Sequence, residues 1–242
     1  MEINELIDLY VLENRKRIQF ESEHKQAIAN MSHDLRTPLT SILGYLQMAE
    51  KSDLSEAERK ELLSIAYKRA KRLDVLLNEF FELSVIESAD DLLNMERISL
   101  KNVITEVLIS FYDRFQQKKL EPTIHLPETD GFILADEEAV TRVLENLFSN
   151  AVAHSDGNLS ITLQEEHAKV KLIVSNDAFA LTEQDVALMF DRFYMADQSR
   201  TGKSTGLGLS IAKSFMEKMN GTISAQYHDG QLSIICEWKA LE

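Results

Sequence analysis

A chain of 242 residues has room for one large domain or two small ones, and 44% hydrophobic residues with eight glycines and three prolines describe a helix-rich globular protein. The net charge of −14 excludes nucleic acid as a direct partner, because phosphate backbones are bound by clustered Lys and Arg. The single cysteine, Cys236, excludes an internal disulfide framework and fits a reducing, cytoplasmic compartment, and no stretch approaches the ~20 apolar residues of a membrane span or reads as a signal peptide.

Residues 1–27 read as a helical stem without Gly or Pro, carrying many charges. From Leu35 the apolar positions Leu39, Ile42, Leu46 and Ala49 follow in steps of four and three, the spacing of a heptad seam. That helix should end near Glu50. Ser55-x-x-Glu58 is a capping box that opens a second helix, striped by Leu63, Ala66, Ala70, Leu73, Leu77 and Phe80 and widened by Leu62, Leu76 and Leu83. Two such helices form an antiparallel hairpin with too little core to stand alone, which predicts a homodimer in which two hairpins make a four-helix bundle. A monomer would need the stripe to pack on the C-terminal domain.

After a boundary at about residues 84–94 the pattern changes to strands alternating with helices. Short strands are expected at 95–100, 123–126 and 132–134, with a helix over 101–119 between the first two. Asp136 should cap a helix through His154, and strands follow at 159–163 and 170–175. A loop then spans about 177–205, and a helix runs from Gly206 to Asn220, ended by Gly221. Strands at 222–227 and 231–238 form a hairpin about Asp229-Gly230. The sum is an α/β sandwich with helices on one face of a mixed sheet.

Three clusters carry chemistry. In the first, His33 lies beside the heptad seam with Asp34 next to it, so a carboxylate can hold one ring nitrogen as N–H and leave the other nucleophilic. Thr37 sits one turn further on, and Pro38 removes a backbone hydrogen bond beside the reactive residue. In the second, Asn146, Asn150 and His154 recur every four residues along one edge of a helix. In the third, Gly206-Leu207-Gly208 lets a helix N-terminus approach phosphate closely. Gly202-Lys203-Ser204 imitates the end of a Walker A loop, but position 197 is Asp and no strand precedes it.

Ser32-His33-Asp34-Leu35-Arg36-Thr37-Pro38-Leu39 resembles the phosphoacceptor box of sensor histidine kinases. Glu145-Asn146-Leu147-Phe148-Ser149-Asn150-Ala151 resembles the N box of their ATPase domain, and Phe190-Asp191-Arg192-Phe193-Tyr194 with Gly206-Leu207-Gly208 resembles the F and G2 boxes. The resemblance spans about Ile28 to Trp238 and implies an α+β protein in three parts. A signal-transmitting stem (1–27) leads into a dimerisation and phosphoacceptor domain (28–88), followed by a catalytic ATP-binding domain of the Bergerat type (94–240).

It further implies ATP and Mg²⁺ as cofactors, His33 as the residue that carries the phosphoryl group, Asp34 and Arg36 beside it, and Thr37 positioning water for dephosphorylation of a response regulator. Asn146 and Asn150 would approach Mg²⁺ and the phosphates, with His154 at the nucleotide edge. Arg192, Arg200 and Lys203 would meet the ATP phosphates from a mobile lid between about Asp177 and Thr205, and Phe193, Thr205, Gly206, Leu207 and Gly208 would also bind the nucleotide. A membrane sensor is expected before Met1 in the full-length protein.

The chain departs from the pattern in two places. Ala153 stands where many members have a basic residue. Asn176-Asp177-Ala178-Phe179-Ala180 replaces Asp-x-Gly-x-Gly, so Asn176 takes the place of the aspartate that reads adenine, and Asp177 could do so only with a slipped register. A neutral acceptor should bind more weakly, and the alanines should force the following turn to be rebuilt. The altered segment keeps open a phosphatase-dominant or weakly active kinase and a non-catalytic dimeric scaffold.

Overall fold

The computed structural model describes residues 35–51, 53–87, 93–128, 130–155, 157–196 and 205–241. It divides into two compact units between Leu77 and Asn78. No helix among the described residues is long and apolar enough to cross a membrane.

In the first unit, α1 covers residues 35–49, and α2 (Glu56–Glu87) begins there and ends in the second unit. The predicted capping box is formed. Glu58 N–H donates to Ser55 Oγ at 3.3 Å, and Ser55 N–H donates to the Glu58 carboxylate at 2.9 Å. Two of the orphan amides of the first turn are thereby satisfied. Ala49, Ala66 and Leu76 are buried, whereas Leu63 and Ala70, expected in the packed stripe, are exposed. One hairpin has one seam, so a stripe this wide leaves apolar side chains over: Leu39, Leu43 and Leu46 on α1, and Leu63, Tyr67 and Val75 on α2.

The second unit is a sheet covered by helices. Five strands run in the order β2 (Thr123–His125), β4 (Leu159–Glu166), β5 (Lys169–Asp177), β7 (Gln231–Lys239) and β6 (Thr222–His228). The β2–β4 pair is parallel and the others antiparallel, so the sheet is mixed as expected. A separate two-stranded ribbon pairs β1 (Glu96–Ser99) with β3 (Phe132–Ala135). Alternation puts Leu232, Ile234, Cys236 and Trp238 of β7 and Val170, Leu172 and Val174 of β5 on the buried face. Against that face pack α4 (Glu137–His154) and α6 (Gly208–Lys218), and α3 (Leu100–Lys118) packs on α4.

Local chemistry explains the boundaries. The Ser99 hydroxyl caps α3 and the Asp136 carboxylate caps α4. On α4 the expected stripe of Val140, Val143, Leu144 and Leu147 is fully buried, and Phe148 joins it edge-on to Phe111 of α3, centroids 5.7 Å apart. The β4–β5 turn is His167-Ala168, both at positive φ, and β6–β7 turns at Asp229-Gly230 as predicted. Two boundaries differ from expectation. Helix α6 starts at Gly208, because Gly206 has φ +75°, outside the helical region. Within the expected long loop lies α5 (Glu183–Leu188), opened by a reciprocal capping box between Thr182 and Asp185.

Candidate functional site

Of the phosphoacceptor box, Arg36 and Thr37 are exposed on α1, while His33 and Asp34 lie outside the described residues. The remaining candidates, apart from Arg200 and Lys203, which also lie outside them, belong to the second unit.

Helix α4 supplies one wall. Asn146 and Asn150 are half-buried along its edge, with His154 exposed at its end. Asn146 Nδ2 donates to the Arg142 carbonyl at 3.0 Å, which orients the amide. Helix α6 starts directly against it: a Cβ added to Gly208 would stand 2.9 Å from Asn146 Oδ1. Only glycine fits there without displacing the asparagine. Packing around the His154 ring, and then the Lys118 ammonium, lower the His154 pKa, so this edge presents a neutral imidazole at neutral pH.

Strand β5 ends at the second wall. Asn176 is 2% exposed, and its Nδ2 donates to the Asp177 carbonyl at 2.9 Å, leaving Oδ1 as the acceptor end of the amide. The β5 register is unbroken through Asn176 and Asp177, paired with Leu232 and Gln231. The Asp177 carboxylate faces elsewhere and accepts from Asn158 Nδ2 at 2.7 Å. Ala178 and Ala180 avoid positive φ, and Ala178 N–H instead donates to the Gly230 carbonyl at 2.7 Å. Phe179 covers Gly230 so closely that a Cβ there would come within 2.4 Å of its ring.

The loop before α6 closes on the Phe190–Tyr194 segment. Phe193, at φ +61°, donates its N–H to the Gly206 carbonyl at 2.9 Å. Gly206 presses on the Phe193–Tyr194 backbone, where a Cβ would lie 2.9 Å from Tyr194 O. Tyr194 Oη–H donates to Asp185 at 2.7 Å, which ties the segment to α5, and Thr182 and Tyr194 together lower the Asp185 pKa. Arg192 is exposed beside them. Leu207 is fully buried, and its N–H donates to Thr205 Oγ1 at 3.4 Å.

Three charged residues here escaped the sequence reading. Thr205 Oγ1–H donates to the Glu79 carboxylate, from the last turns of α2. Glu82, one turn on, accepts both Nε (2.6 Å) and Nη2 of Arg142, and Arg142 Nη1 also reaches Glu145 at 2.7 Å. Arg142 occupies the α4 position one turn before Asn146, so its guanidinium is engaged by carboxylates at the edge of the site. Burial raises the Glu79 pKa, with Glu82 adding to the effect and Thr205 and Arg142 opposing it.

No three His, Cys, Asp or Glu side chains converge on a metal position among the described residues. The donors on α4 are neutral amide oxygens, which suit an ion that takes most of its shell from water and phosphate. Oxygen donors, a helix N-terminus reached through glycines, and a buried amide acceptor are chemically suited to a nucleoside triphosphate.

Residues 135–239 match the family described as histidine kinase-, DNA gyrase B- and HSP90-like ATPase. Residues 23–89 match the His kinase A (phospho-acceptor) domain. The chain is 33% identical over 226 residues to sensor histidine kinase YcbM of Bacillus subtilis, covering 89% of this chain and 73% of that protein. It resembles the structure of histidine kinase AdeS of Acinetobacter baumannii with a TM-score of 0.68 and 26% identity, over 87% of this chain and 98% of that one. A fold likeness extends to histidine kinase ThkA in complex with response regulator protein TrrA, with TM-score 0.77 and 23% identity over 96% of this chain and 66% of that one.

Proposed function

The chain belongs to the sensor histidine kinases, and from that premise we propose how its residues divide the reaction. The enzyme is a protein-histidine kinase, and ATP is held by the second unit. Asn146 beside Gly208 carries the reading, because it brings oxygen donors to the positive end of α6. Asn176 Oδ1 would accept from the adenine amine, Asn146 and Asn150 would contribute to the shell of a Mg²⁺ ion, and Arg192, Arg200 and Lys203 would meet the phosphates. Mg²⁺ supplies charge neutralisation on the phosphates.

The free ring nitrogen of His33 attacks the γ-phosphorus while Asp34 holds the opposite N–H. A P–N bond forms, the bond to the β–γ bridging oxygen breaks, and ADP leaves with that electron pair. A response regulator aspartate then accepts the phosphoryl group, a step supported by the ThkA–TrrA complex in the same fold. Two chains pair through the apolar side chains left over on α1 and α2. We place the kinase in the cytoplasm, where ATP and the regulator are.

Incubation with γ-labelled ATP and Mg²⁺ tests this reading. Acid-labile, alkali-stable label on the chain is the expected result. No label at saturating ATP, with phospho-regulator still dephosphorylated, would instead identify a phosphatase.

Two substitutions separate the roles. Asn176→Ala removes one acceptor from the base, and by calorimetry ATP affinity should fall about tenfold, the value of one hydrogen bond; an unchanged affinity removes Asn176 from the site. Thr37→Ala should spare autophosphorylation and slow regulator dephosphorylation by about 10²-fold. Equal loss of both activities would show that Thr37 only supports α1.

A further inference from the structure

We infer that Glu79 is a positioning residue for nucleotide binding: it holds Thr205 at the mouth of α6 and competes with phosphate for that position. This rests on the reading of the Asn146–Gly208 site as an ATP site.

The geometry is a short relay. Leu207 N–H, one of the amides at the start of α6, donates to Thr205 Oγ1, and the Thr205 hydroxyl donates to the Glu79 carboxylate. Amides at a helix start carry the positive end of the helix dipole and attract an anion. Here the anion is internal to the chain, brought from the last turns of α2, 126 positions earlier. An arriving triphosphate needs the same end of α6. It therefore meets a half-buried carboxylate, poorly screened by water, beside the loop it must occupy.

Among the described residues, the groups facing Glu79 pull in both directions. Glu82 on its own helix is a second carboxylate, whereas the Thr205 hydroxyl and Arg142 on α4, itself bonded to Glu82 and Glu145, favour the ionised form. Burial outweighs them. Burial accordingly favours the protonated acid, and the Glu79 pKa lies above the ordinary glutamate value.

The sign of the pH effect follows. Below the raised pKa Glu79 is neutral and does not oppose phosphate. As pH rises through it, the carboxylate forms and nucleotide affinity falls. By linkage, bound nucleotide in turn raises the Glu79 pKa further and weakens the ionised contact to Thr205.

The test is calorimetric titration of the whole chain with the ATP analogue AMPPNP and Mg²⁺, from about pH 5 to about pH 8, a range chosen to bracket a raised carboxyl. Wild type is compared with Glu79→Gln, which keeps the shape and the acceptor but never ionises. Titration of the nucleotide itself cancels in the ratio of the two affinities. That ratio should be smallest at the acid end and rise to about fivefold to tenfold in favour of the variant at the alkaline end, a normal coupling between linked sites. Glu79→Met, of similar length, repeats the comparison if the glutamine variant melts early.

A ratio that stays flat with pH, whether at one or elsewhere, overturns the inference and leaves the ATP site standing. No binding by wild type or variant at any pH overturns the ATP site and the inference with it.

Discussion

His33→Gln abolishes incorporation of label from γ-labelled ATP, by about three orders of magnitude or more, while AMPPNP binding stays at the wild-type level. The glutamine amide nitrogen has no available lone pair, so the phosphoryl group has no acceptor of comparable nucleophilicity. The residues proposed to bind nucleotide belong to the unit from Asn78 onward, and the phosphoacceptor box to the unit that ends at Leu77. Loss of the acceptor therefore removes the transfer without removing the donor. This separation is the value of the experiment: a variant that neither binds nor labels has unfolded. One that binds and still labels has its acceptor elsewhere, and the reading of His33 fails. Acid lability with alkali stability of the wild-type label must accompany the result, because a phosphorylated serine or threonine would survive acid.

The parts of this design that were legible in the sequence are those set by short-range rules. Helix α4 could be read from Asp136 to His154 because its cap and its apolar spacing are local, and every stripe residue proved buried. The Ser55–Glu58 capping box and the Asp229-Gly230 turn were legible for the same reason. The line of Asn146, Asn150 and His154 follows from helical spacing alone.

What escaped depends on partners distant in the chain or on unusual backbone. Glu82 and Arg142 are 60 positions apart, and each taken alone is an ordinary surface charge. The β4–β5 turn uses His167 and Ala168 at positive φ, with no glycine to announce it. Helix α5 rests on an Asp in place of the usual Glu of a capping box, and its short length carries little periodicity. The sequence pattern puts Gly206 in a helix, yet its left-handed backbone is what lets the chain press against Phe193 and Tyr194 before α6 begins. Glycine marks both permissive and demanding positions, and only the φ angle tells them apart.

That difference yields unequal stability losses for two neighbouring substitutions. Gly208→Ala places a Cβ 2.9 Å from Asn146 Oδ1. The obstacle is the end of a side chain, so Asn146 can swing away, at the cost of its 3.0 Å bond to the Arg142 carbonyl. Melting should change little, within about 2–4 °C for a loss near 1 kcal/mol in a unit of this size. Nucleotide affinity should fall about 10- to 100-fold, because the oxygen proposed to help hold Mg²⁺ at the phosphates has left its position.

Gly206→Ala meets a different obstacle. Its Cβ would stand 2.9 Å from the Phe193 carbonyl carbon and from Tyr194 O, both backbone atoms, with φ at +75°. Neither atom can rotate aside, and a left-handed L-residue alone costs about 1–2 kcal/mol. The Phe193 N–H bond to the Gly206 carbonyl, 2.9 Å long, must also shift. This variant should lose nucleotide affinity and melt lower by about 4–8 °C. Thermal melts and AMPPNP titrations on the pair decide the matter. Should Gly208→Ala bind the analogue as wild type does, Asn146 is not among the groups that hold it. If instead both variants melt alike, the strain assigned to Gly206 is absent, and the contact between the Phe193 segment and the start of α6 does not fix the loop.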